Sequence, residues 1–359
     1  MNKQQVVLND KTILVTGSPG FIGANLVLRL LKEMTDGLII SLDSLNHYYN
    51  PELKNYRLSL IESTAKTSPV QHIFIKGNIA DKELIDQVFA KYKPAVVVNL
   101  AAQAGVRYSI EHPDAYIESN IIGFYNILEA CRHYPVEHLV YASSSSVYGG
   151  NKKIPFSVED KVDNPVSLYA ATKKSNELFA YSYSKLYNIP CTGLRFFTVY
   201  GPAGRPDMFY FSATEKFVKG ESISIFNYGN CKRDFTYVDD IVEGIFRVMQ
   251  GAPEKSVQVD ELSLPPYAIY NIGGGTPENL LVFIQTLQEE LVNAGVLPKN
   301  YDFESHRKLV AMQPGDVPIT YADSHALEAD YGFRPKIGIR DGLRHFAQWY
   351  QTYLCKSKE

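Results

Sequence analysis

Lys11-Thr-Ile-Leu-Val-Thr-Gly17-Ser-Pro-Gly20-Phe-Ile-Gly23 begins as an apolar run of strand character and breaks into three spaced glycines. An apolar helical pattern follows over residues 24–31. Strand, glycine turn and helix in that order form the context of a dinucleotide-binding fingerprint. Gly17 permits the tight turn, Gly20 lets backbone approach a pyrophosphate, and Gly23 lets helix pack close on strand. The helix N-terminus then faces the phosphates. A lone glycine triplet is a weak signal; one placed like this is strong.

Downstream, Leu38–Asp43 reads as the second strand, and Asp43 closes it twenty residues after Gly23. A carboxylate there accepts both ribose hydroxyls. Ser44 and Leu45 follow, with no Arg to hold a 2′-phosphate, so the spacing selects NAD over NADP. Residues 46–69 read as a polar insertion. Strands are expected at 72–76, 95–100, 137–142 and 191–196, and helices at 81–92, 114–132 and 168–187. Strands of four to six residues alternating with helices predict an α/β fold, a Rossmann-like doubly wound parallel sheet. Ligands in such sheets sit beyond the carboxyl ends of the strands. Asp43, Asn78-Ile79, Ala101–Gln103, Ser143–Ser146 and Thr198 all fall on that one edge. That coincidence marks a site.

On the helix after the fourth of these clusters, Tyr169 and Lys173 are four apart and share a face. A phenol is a poor base near neutrality, and a neighbouring ammonium favours the phenolate. With a hydroxyl donor from the serine run, the pair can take a proton from an alcohol as hydride leaves its carbon. Tyr-x-x-x-Lys alone is weak; its weight comes from what flanks it.

From about residue 198 the chain turns to Pro- and Gly-punctuated pieces, with helices expected at 237–250, 280–295 and 341–354. The division expected is 1–197 for the dinucleotide-binding domain and 198–359 for a smaller mixed α/β substrate domain, with the chain crossing back near 235–270. Composition adds exclusions. Hydrophobic content of 45%, charged content of 21% and a net charge of -3 are those of an ordinary soluble globular protein without a polyanion-binding signal. No nucleic-acid partner is expected. Four scattered cysteines suit reduced thiols in a cytoplasm. No run reaches the ~20 apolar residues of a membrane span, and the histidines lack ligand spacing, so neither membrane nor metal is expected.

Taken together, TGSPGFIG (16–23), NLAAQAGVRYS (99–109), YASSSSVYG (141–149), YAATKK (169–174), LRFFTVYGP (194–202), RDFTYVDD (233–240) and QPGD (313–316) resemble the extended short-chain dehydrogenase/reductases. Within them the chain is similar to the nucleotide-sugar epimerases, and among these to the UDP-glucuronate 4-epimerases. The resemblance implies a resident NAD held by Gly17, Gly20, Phe21, Ile22, Gly23 and Asp43. Asn78, Ile79, Leu100, Ala101, Ala102 and Gln103 continue that side, with Tyr169 and Lys173. It implies Tyr169 as the base at the sugar C4 hydroxyl, Ser144 as proton relay, and Lys173 on the nicotinamide ribose, lowering the tyrosine pKa.

For the UDP-sugar, the resemblance implies Arg233 on the diphosphate, Phe226 against uracil and Asp316 near the uridine ribose. By themselves Phe226 reads as core, Arg233 as half of an ion pair with Asp234, and Asp316 as a turn cap. Arg107 has two readings, substrate contact or a brace for the sheet edge. Ser145, Ser146, Thr198 and Arg205 are the candidates for the sugar carboxylate. Ser145-Ser146 stand where 4,6-dehydratases carry Asp-Glu, and Ser146 where decarboxylating relatives carry Glu, so both chemistries lack their acids. A UDP-galactose or UDP-N-acetylglucosamine 4-epimerase is the alternative, and a non-catalytic NAD-binding protein a remoter one. A homodimer is implied by analogy.

Overall fold

The computed structural model describes residues 2–257, 263–312 and 317–356. In chain order its main elements are β1 (Thr12–Thr16), α1 (Phe21–Glu33), β2 (Leu38–Asp43), α2 (Glu52–Ala65), β3 (Gln71–Lys76), α3 (Lys82–Tyr92), β4 (Val96–Asn99), α4 (Phe124–His133), β5 (His138–Ser144), α5 (Leu168–Tyr187) and β6 (Cys191–Phe196). Then come α6 (Phe209–Val218), α7 (Val238–Met249), β7 (Tyr267–Ile272), α8 (Leu280–Asn293) and α9 (Ile339–Lys356). The strands form one seven-stranded parallel sheet in the order β7-β6-β5-β4-β1-β2-β3. The Rossmann-like reading of the sequence is the fold.

Alternation along the strands builds the layers. Ile13 and Val15 of β1 and Val96 and Val98 of β4 enter one apolar cluster with Leu26, Val27 and Leu30 of α1 and Ile241 and Ile245 of α7. Leu14 and Val97 enter the opposite cluster with Ile85 and Phe89 of α3, Phe124 and Ile127 of α4 and Ala180 of α5. Strands buried on both faces read as unbroken apolar runs, which is why VVVN and TILVT were legible. The first cluster continues into the C-terminal part through Phe211, Phe283 and Phe346.

Three differences from the sequence reading have physical causes. Residues 46–69 are not simply a polar insertion: they hold α2, whose buried face is Leu53, Lys54, Arg57 and Ile61. Two of those four are cationic, so no apolar stripe announces the helix. The run expected as one helix over 114–132 is divided by a π-helical segment, Ile117–Gly123. The edge strand β7 comes from the C-terminal half and pairs with β6 from Tyr267↔Cys191 to Ile272↔Phe196. Only a crossing-back was expected there.

Candidate active site

The carboxyl ends of the strands open into a cleft of about 440 Å³, within the range of small-molecule sites. At one end lies the glycine turn. Gly17 takes φ +72°, and a Cβ there would lie 2.7 Å from the Ala101 backbone nitrogen. At Gly23 a Cβ would lie 2.2 Å from the Gly17 carbonyl oxygen. No side chain caps α1, whose N-cap is Gly20, so its first-turn N–H groups are left for an anion. Asp43 closes β2 with Oδ1 accepting the Leu45 N–H at 2.6 Å and Lys54 Nζ 3.9 Å away. Burial raises its pKa, and the Lys54 charge opposes the rise. Gln103 Nε2 is buried in the wall without a hydrogen-bond partner among the described residues. A bare helix N-terminus, a carboxylate and an unpaired amide donor fit a dinucleotide. Phe21, Ile22, Asn78, Ile79, Leu100, Ala101 and Ala102 share this wall.

At the other end, α5 starts at Ser167, which accepts the Ala170 N–H at 3.1 Å. That cap sets Tyr169 and Lys173 into the cleft opposite Ser144, Ser145, Ser146, Thr198 and Arg205. Burial raises the Tyr169 pKa; a hydrogen bond with Ser144 and then the Arg205 charge pull it back, while Asp207 pushes it up. Lys173 Nζ donates to the Ala142 carbonyl at 3.0 Å, and burial brings its pKa down to about 8. The electrostatic help expected from Lys173 thus falls here to Ser144 and Arg205. Arg205 is itself engaged: Nε donates to Asp207 Oδ1 at 3.0 Å and Nη2 to Oδ2, and the Tyr48 hydroxyl donates to Oδ2 at 3.0 Å.

Residues 13–273 match the NAD dependent epimerase/dehydratase family. The chain belongs to it. The protein named CapI of Staphylococcus aureus is 47% identical over 350 residues, covering 96% of this chain and 99% of that one. UDP-glucuronate 4-epimerase 4 of Arabidopsis thaliana is 43% identical over 359 residues, covering 98% of this chain and 78% of the relative. The crystal structure of UDP-glucuronic acid 4-epimerase from Bacillus cereus, in complex with UDP-glucuronic acid and NAD, superposes with a TM-score of 0.80 at 29% identity, covering 95% and 99% of the two chains.

Not every expected residue of this epimerase/dehydratase family member reaches the cleft wall. Arg107 and Phe226 meet each other instead, guanidinium over ring at 5.1 Å. Arg233 Nη1 donates to the carbonyls of Lys232 at 3.0 Å and Pro318 at 3.2 Å. Asp316 lies outside the described residues. Conversely, Tyr48 and Lys54 line the cleft without having been expected there. Asn120 was missed too. From the π-helical segment its Oδ1 accepts the Gln103 N–H at 2.8 Å, and its Nδ2 donates to the Gln103 carbonyl and Thr172 Oγ1, both at 3.0 Å. A π-turn breaks the 3.6-residue rhythm, so periodicity gives no sign of where such a side chain faces.

Proposed function

We propose that this protein is a UDP-glucuronate 4-epimerase, an NAD-dependent isomerase that interconverts UDP-glucuronate and UDP-galacturonate through a transient 4-keto sugar. The observation that carries the reading is one cleft joining a dinucleotide cradle to a hydroxyl-rich end. There Ser144, Tyr169 and Lys173 meet Ser145, Ser146, Thr198 and Arg205. Relatives named for this activity at 39 to 43% identity support it.

NAD, when bound, supplies a hydride acceptor that later returns the hydride to C4. Tyr169 as phenolate takes the C4 hydroxyl proton, and Ser144, hydrogen-bonded to it, relays that proton. Lys173, anchored at the Ala142 carbonyl, holds the nicotinamide ribose. Ser145, Ser146, Thr198 and the outward N–H groups of Arg205 grip the sugar carboxylate. A 4-keto-uronic acid loses CO₂ when its C5–carboxylate bond aligns with the ketone π system, and such a grip keeps it out of alignment. The part of the chain up to residue 197 carries the cofactor and 198–359 mainly the UDP-sugar, whose nucleotide extends past the cleft wall to Phe226, Arg233 and Asp316, with Arg107 from the first part beside Phe226.

One observation favours a second reading. Arg205 already has a carboxylate partner in Asp207, which suits an uncharged hexose and hence a UDP-galactose or UDP-N-acetylglucosamine 4-epimerase. Incubating the protein with UDP-glucuronate, UDP-glucose and UDP-N-acetylglucosamine, without added cofactor, separates the two by which 4-epimer forms. No epimer from any of them overturns both.

The partner we propose is a second copy of the chain. Ile117, Ile122 and Tyr125 on one helical run and Leu178, Tyr181 and Leu186 on α5 are each more than 40% exposed, an apolar surface of the kind that marks an interface. Free, buried Cys131, Cys191 and Cys231 suit a cytoplasmic location.

A further inference from the structure

One turn beyond Lys173, Glu177 continues the face of α5 that carries Tyr169, but it does not reach the cleft. It is 2% exposed and buried against the sheet. Its carboxylate accepts from Arg195 twice, Nε to Oε1 at 2.8 Å and Nη2 to Oε2 at 2.9 Å, and from Ser143 Oγ at 2.7 Å. Ser143, Arg195 and Asn271 stand side by side on β5, β6 and β7 in one lateral row of the sheet. The next row, nearer the cleft, is Ser144, Phe196 and Ile272. Arg195 Nη1 also donates to the Tyr148 hydroxyl at 3.0 Å, which donates to Asn271 Oδ1 at 2.8 Å. Asn271 Nδ2 then reaches the carbonyls of Phe156 at 2.8 Å and Asp323 at 3.1 Å. One carboxylate thus ties the helix of Tyr169 to the strand end of Ser144 and, through the row, to the C-terminal part.

We propose that Glu177 is a positioning residue: it fixes the end of β5 against α5 so that Ser144 stays within hydrogen-bonding reach of Tyr169. A buried bidentate ion pair is weak evidence for a stability role, because desolvating both charges offsets most of their attraction, and an apolar pair of similar volume often folds as well. Geometry is what this pair supplies. Ser143 is the link. Its hydroxyl is committed to Glu177, and the next residue carries the hydroxyl that meets the phenol. The inference rests on Tyr169 being the base.

The test separates geometry from charge and from folding. Glu177→Leu combined with Arg195→Met removes one charge of each sign, so the local net charge is unchanged, while Lys174, whose Nζ lies 3.6 Å from Glu177 Oε2, stays in its partly exposed place. Titratable groups facing Tyr169 are Lys173 on its own helix, Tyr116 at a ring distance of 6.0 Å, and Arg205 and Asp207 beyond β6; none is altered. The tyrosinate midpoint of Tyr169 is read from the ultraviolet difference between each protein and its Tyr169→Phe counterpart, with no substrate needed. The double variant is expected to melt near the wild-type temperature, to raise that midpoint, and to lose roughly tenfold in kcat with KM for the UDP-sugar within about twofold. A wild-type midpoint in the double variant overturns the proposal. A raised midpoint with undiminished turnover keeps the positioning role and removes Tyr169 as base. Should the double variant not fold, Ser143→Ala leaves the ion pair intact and breaks only the link, and the same two outcomes apply.

Discussion

Tyr169 sits in a site that burial makes hostile to its own ionisation, and the groups set against that are few: the Ser144 hydroxyl and the Arg205 guanidinium. Phenylalanine keeps the ring and removes the oxygen. Tyr169→Phe is therefore expected to cost roughly 10²–10⁴ in turnover at unchanged melting temperature and unchanged NAD content; steady-state rates beside calorimetry check this, and a small loss would count against the phenol as base. Tyr169, Lys173 and the serine run were legible because their spacing is local, four residues on one helix face and consecutive positions at one strand end. Tyr48, Lys54, Asn120 and Glu177 were not. Their partners lie 159, 8, 17 and 18 residues away in sequence for Asp207, Asn46, Gln103 and Arg195. Even the short separations run between different elements, so only the fold brings them together.

At the scale of elements, the glycine turn and α1 act as one unit. The helix starts at Gly20, which has no side chain to cap it, and a Cβ at Gly23 would lie 2.2 Å from the Gly17 carbonyl oxygen. A methyl there has backbone as its obstacle and cannot be relieved by a side-chain rotation. Gly23→Ala is expected to displace α1 from β1 and weaken NAD binding at least tenfold, as fluorescence titration with NAD would show; wild-type affinity would refute the role given to this contact. The strands of the sheet were readable since both of their faces are apolar. α2 was not, because Lys54 and Arg57 take buried places on it, and Arg57 spends its guanidinium on the carbonyls of Pro19, Ala203 and Gly204. A cation that serves as internal scaffolding looks, in sequence, like a solvated one.

Over the whole molecule, two buried groups pull stability in opposite directions with pH. Burial raises Asp234 to about 6, so the fold favours its protonated form, and the stability this gives is lost as pH rises through 6. Burial lowers His138 to about 4, so the fold favours its neutral form, and that stability is lost as pH falls from 6.5 toward 4. Each is worth about 3 kcal/mol at its limit, and the two nearly offset. Asp234→Asn is expected to gain stability relative to wild type by about that amount between pH 4 and 6, measured by urea unfolding across the range; a constant difference would refute the account. The exposed apolar surface on α5 makes its own prediction. Leu178→Arg should convert a dimer to a monomer in analytical ultracentrifugation with the melting transition retained, and a wild-type protein that sediments as a monomer would remove the proposed partner.

The edge position of β7 bears on how the chain is made. A ribosome releases β1 to β6 while residues 197–266 are still to be translated, so β6 waits with one side unpaired until Tyr267–Ile272 emerges. Unpaired strand edges recruit foreign strands. The nascent protein therefore carries an unpaired flank on β6 from the release of Phe196 until Ile272 follows it, and that interval is when strands of neighbouring nascent chains can pair there.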